Sequence, residues 1–152
     1  MPGTDPRHWL HRLTADEWLR AGMKELSVAR TSMSQHQQRP ALASLRRAAG
    51  MGWNAVLALE PEPDARFGRS YADHLRALAE GLSIATDEAH PVPVEVREAA
   101  QRLMDDPAAR RHGPGDVVQI LTRARDEALL TAAEIVLGEA YARVLRKAPR
   151  AS

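Results

Sequence analysis

Apolar residues recur along this chain at intervals of three and four, and nowhere in a sustained alternation. Leu19, Met23, Leu26 and Met33 share one helical stripe, with Arg30 inside it, so the spacing predicts an amphipathic helix. Thr14-Ala15-Asp16-Glu17 marks its start, because the Thr hydroxyl can accept from the third helical N–H while Glu17 reaches back; the helix runs to about His36. Leu42, Leu45, Ala49, Gly52, Val56 and Leu59 form a second series. Pro40 suits its first position, and Ala48, Ala49 and Gly52 leave room for a neighbouring backbone. Glu60-Pro61-Glu62-Pro63-Asp64 ends it, since a residue before proline avoids the α conformation.

Ser70 caps a third helix, with Asp73 at the capping-box position and Tyr71, Leu75, Leu78 and Leu82 facing inward. A short fourth helix opens at Pro93 and carries Val94, Val96, Ala100 and Leu103. Asp116 caps a long last helix to about Arg146, with Val117, Leu121, Ala124, Ala128, Ala132, Ile135 and Val136 inward. Residues 83–93 and 105–115 read as loops. The lead-in, broken by Pro2, Gly3 and Pro6, docks through Trp9 and Leu10; residues 1–13 and 147–152 are expected to be partly ordered ends. With no strand signal, internal repeat or interdomain linker, the expectation is one all-α domain over 1–152, a compact bundle of about five helices, mostly antiparallel.

Composition narrows the picture. Hydrophobic residues make up 44% of the 152 and aromatic residues only 4%, so the core must be Ala, Leu, Val and Met with three Trp as large fillers. Twenty-seven alanines favour helix. The 21 basic residues, 19 of them Arg, nearly balance 20 acidic ones, so net charge favours no nucleic-acid partner; Arg suits phosphate contacts, but an Arg- and Ala-rich coding bias gives the same count. The absence of cysteine excludes a disulfide framework and thiolate chemistry. No apolar run is long enough for a membrane span and no apolar leader opens the chain, so a soluble, cytoplasmic protein is expected. No metal-ligand spacing appears, and Gly50-Met51-Gly52 lies inside a helix with no Lys-Ser/Thr after it, which reads as close packing. No cofactor is expected.

One constellation carries chemistry: Arg69, Asp73 and His74. A His can move protons as a general acid/base, and an Arg can neutralise an anion. Residues five apart on a regular helix point about 140° apart, so the pair converges only if Arg69 lies just outside the helix that Ser70 caps. A structural reading stands beside this: His74 adjoins Tyr71, Leu75 and Leu78 and suits a half-buried, hydrogen-bonded role, while Arg69 and Asp73 make a surface pair.

From about Ala21 to Leu82 the chain resembles the first half of a HEPN domain. Ala29-Arg30, then Ala48-Ala49 with Leu57, follow that family's rhythm, and His74-Leu75 with Leu78 resembles the segment that opens its third helix. Arg-x4-His is the ribonuclease signature of that superfamily, in which the His would act as general acid/base at the 2′-hydroxyl or leaving oxygen and the Arg would hold and neutralise the phosphate, without metal. The resemblance implies an RNA- or nucleotide-related role, with a metal-independent ribonuclease of toxin type as its enzymatic form. Arg69, His74 and Asp73 would form the site, and Arg66, Arg76 and Arg46 would be further phosphate contacts. It also implies a homodimer and an antitoxin or other protein partner. Two departures stand: the region before the last helix offers only Arg110-Arg111-His112, and Ser70 follows the motif Arg where the family often has Asn or Asp. The alternatives are a non-catalytic interaction or dimerisation module, and a small-ligand pocket between helices lined by Trp53, Trp18 and Met residues.

Overall fold

A computed structural model describes residues 9–60, 63–84, 89–105 and 115–147, with side chains described outside 105–123. Five α-helices and two short 3-10 turns account for most of them: α1 Ala15–Ser34, α2 Gln38–Ala58, α3 Tyr71–Ala79, α4 Val94–Asp105 and α5 Gly115–Lys147, with 3-10 turns at Trp9–Arg12 and Ala65–Phe67. No strand occurs among the described residues, and the architecture is an all-α bundle. Within them no helix is long and apolar enough to cross a membrane.

The helix starts follow local chemistry. Thr14 accepts from the Glu17 N–H while Glu17 accepts from the Thr14 N–H. Ser70 and Asp73 make the same reciprocal pair at α3. Each box satisfies two backbone donors that the helix geometry leaves without partners. Two helices end in the same way. At α1 the N–H of Gln37 reaches the Ser32 carbonyl and that of His36 the Met33 carbonyl, with His36 at φ +60°. At α3 Leu82 bonds Ala77 and Gly81 bonds Leu78, with Gly81 at φ +76°. A left-handed residue after the last turn closes both ends. Helix α2 begins at Gln38, two residues before Pro40. Proline is tolerated there because the first-turn N–H groups have no intrahelical acceptor.

Helices α1 and α2 form a hairpin, Gly22 lying against Ala48 and Gly52 and Glu25 pairing with Arg47 at 3.3 Å. A Cβ on Gly22 would stand 3.0 Å from the Ala48 carbonyl oxygen, and one on Gly52 would stand 2.7 Å from Leu137 of α5. Small residues thus set the spacing where three helices meet. Helix α2 is buried over most of its surface: Leu42, Leu45, Ala48, Ala49, Trp53, Val56 and Leu57 are all under 9% exposed, and the edge with Ala43, Arg47 and Met51 is partly open. It is the axis around which the others pack.

Two inward stripes differ from their expected course. On α1 the core face runs through Leu19, Gly22, Leu26, Ala29 and Ser32, while Met23 is 59% exposed and Arg30 pairs with Glu134 at the surface. The close approach to α2 brings Gly22, Ala29 and Ser32 inward beside Leu19 and Leu26 and leaves Met23 outside. On α5 the core face is Leu129, Ala132, Ala133, Val136, Leu137, Ala140 and Val144; Ala124 is exposed and Ile135 only half-buried. Apolar residues lie all round this stretch, so spacing alone does not select the inner face. Val117, Leu121, the Asp116 cap, most of the 105–115 loop and Arg110-Arg111-His112 fall outside the described residues or side chains, as do residues 1–8 and 148–152. Trp9 and Leu10 do dock the lead-in: Leu10 is 2% exposed and accepts from the Trp18 indole at 2.8 Å.

Candidate functional site

His74 sits at the first turn of α3, and the fold closes round it. It has no exposed surface. Its Nδ1 lies 2.7 Å from the Phe67 carbonyl oxygen and its Nε2 2.6 Å from the Asn54 side-chain oxygen. The Trp9 ring lies roughly parallel to the imidazole at 6.2 Å, and Tyr71 meets it edge-on at 6.5 Å. Burial pushes the His74 pKa below its ordinary 6.5, against the Phe67 hydrogen bond and the nearby Asp73 charge, which pull it up. The ring is therefore neutral near pH 7 and carries one proton, which Nδ1 donates to Phe67. Nε2 is then an acceptor. Asn54 Nδ2 is buried without an acceptor, and turning that amide over lets it donate to Nε2.

Arg69 stands apart from this arrangement. It precedes the Ser70 cap, outside α3, and is exposed. It lines a surface cleft of about 440 Å³ with Trp9, Leu10, Arg12, Pro63 and Gly68; His74 does not line that cleft. Asp73 is engaged at the helix start, where the two hydrogen bonds with Ser70 hold its carboxyl below the usual range, and it also pairs with Arg76 at 3.3 Å. Position 69 meets the geometric condition set by the Arg-x4-His spacing. The imidazole, however, has both nitrogens occupied within the core and offers neither to a substrate.

The other candidate arginines have separate tasks. Arg66 is clamped on Asp64 at 2.6 Å, which lowers the Asp64 pKa, and reaches the Ser83 carbonyl. Arg46 donates to the Leu103 and Met104 carbonyls at 2.7 and 3.1 Å, closing the C-terminal turn of α4. Arg76 lies with Asp73 on the exposed side of α3. Comparison with family models, curated proteins and solved structures returned no match.

Three features went unnoticed in the sequence. Asn54, 0% exposed on α2, is the partner of His74; a lone amide among Trp53, Ala55 and Val56 was the available signal, since a buried polar group needs a partner. Arg143 is 1% exposed, lies over the Trp53 ring at 5.5 Å, pairs with Glu139 at 2.7 Å and donates to the His90 carbonyl at 2.8 Å. The third is the cleft beside Trp9. It is not the pocket expected near Trp53 and Trp18: Trp53 is sealed in the core against Phe67, and Trp18 packs on Trp9.

Proposed function

We propose that this chain is a non-catalytic, HEPN-like helical module that works by binding, and not a metal-independent ribonuclease of toxin type. The observation that carries this is the environment of His74. A general acid/base must reach the proton it moves, and here both ring nitrogens are held by Phe67 and Asn54 in the interior. An RNA or nucleotide partner remains the favoured class, with the exposed side of Arg69 as the face that meets it, and a cytoplasmic placement belongs to the same reading. The test is RNA cleavage by purified protein in chelator, with His74→Ala and Arg69→Ala alongside. We expect no cleavage by the wild type. Chelator-resistant cleavage that vanishes in both variants while circular dichroism shows them folded would overturn the reading.

A second reading, self-association, is favoured by the outer face of α5. Gly138, Tyr141 and Leu145 follow at i, i+3 and i+7, with Tyr141 52% and Leu145 59% exposed, the spacing by which one helix seats on another. A Cβ on Gly138 would meet nothing within 4 Å. Sedimentation equilibrium of wild type and Leu145→Glu tests it: a dimer that the charge converts to a monomer is the supporting outcome, and a wild-type monomer refutes it.

A further inference from the structure

We infer that the cleft between the first 3-10 turn and the start of α3 is a binding site for a phosphate carried on a planar ring, that is, a nucleotide unit. This rests on the reading that the chain works by binding, and it names the site and the ligand class. The walls divide by chemistry. Trp9, Leu10, Pro63 and Gly68 supply indole, aliphatic and backbone surface, and Arg12 and Arg69 supply two guanidinium groups. Neither guanidinium has an ion-pair or hydrogen-bond partner among the described residues. The one acid among the described residues of the wall, Asp64, is paired with Arg66 at 2.6 Å. Among the described residues, Arg12 and Arg69 therefore bring to the cleft two positive charges that no acid pairs.

Guanidinium groups recognise phosphate through paired N–H donors, and an indole wall suits a flat aromatic ring. A volume of about 440 Å³ falls in the range of small-molecule sites and exceeds what inorganic phosphate alone would fill. A bare nucleoside would leave both charges unmatched. The shared chemistry, a base with its phosphate, is offered both by a free nucleotide and by the end of an RNA strand.

Calorimetric titration with adenosine monophosphate, adenosine, inorganic phosphate and a short 5′-phosphorylated RNA oligonucleotide tests the site. Adenosine monophosphate should bind, and adenosine and phosphate should each bind at least about ten-fold more weakly, because each keeps one half of the contacts. The double variant R12Q/R69Q changes two exposed side chains, so its circular dichroism should match the wild type while nucleotide affinity falls by about ten-fold or more. An oligonucleotide that binds tighter than the mononucleotide assigns the site to RNA ends, and the reverse order assigns it to free nucleotides. The inference fails if adenosine monophosphate binds no better than adenosine, or if the double variant binds it unchanged. RNA cleavage by the wild type would unseat the non-catalytic reading and leave this site standing; absent nucleotide binding would unseat the site and leave that reading standing.

Discussion

At the scale of single residues, His74 shows how a chemically versatile side chain becomes a structural one. Its neutral form is favoured inside the fold, so the unfolded chain takes up a proton first as pH drops. Stability is thus at its full value above the ordinary value of 6.5 and declines as pH falls below it toward the lower folded-state value. Thermal unfolding followed from pH 7.5 downward should show this loss above the range where carboxylates protonate. His74→Gln should flatten the slope in that window. His74→Ala should cost about 2–4 kcal/mol, since it opens a cavity and strands Asn54 and the Phe67 carbonyl; urea denaturation measures it. Arg143→Ala should be among the most damaging single changes, at about 3–5 kcal/mol, because it removes a fully buried side chain that packs on Trp53 and leaves the partly buried Glu139 without its cation. Little of this was legible in advance. The partner of His74 Nδ1 is a backbone carbonyl, which has no sequence signature. Asn54 is twenty positions away on another helix.

At the scale of elements, what could be read ahead was the chemistry that is local in sequence. The capping boxes at Thr14 and Ser70 formed as their spacing predicted, because all their atoms lie within four residues. Ser70→Ala should cost about 1 kcal/mol by the same measurement. What could not be read was which face of α1 and α5 turns inward, because that is decided by a neighbour's backbone. Gly22 beats Met23 for the core position since only the glycine admits α2 at that distance. Glycine pairs expose the same logic. Gly50→Ala would drive a Cβ into the Tyr71 side chain, an overlap that should destabilise by about 1–3 kcal/mol. Gly138→Ala meets open space and should stabilise by about 0.5–1 kcal/mol through helix propensity alone. Differential scanning calorimetry of the two variants should show shifts of opposite sign.

At the scale of the whole molecule, long-range polar ties complement the apolar core. Lys147 at the end of α5 bonds Glu60 just after α2 at 2.5 Å, and the Glu60 carbonyl also meets His11 of the lead-in. The all-α architecture was legible because alanine and 3.6-residue spacing act over many residues at once. The cleft beside Trp9 was not, because it exists only once the lead-in, the turn after α2 and the start of α3 come to one place in the fold. Its two arginines are 57 positions apart. The sheathing of α2 has one more consequence, in the time domain. A helix covered over most of its surface has few partial openings that expose its peptide groups to solvent. Amide protons at its centre, from Leu45 to Val56, should exchange with deuterium only when the entire chain unfolds, so their exchange rates read out the global free energy of the protein without any denaturant.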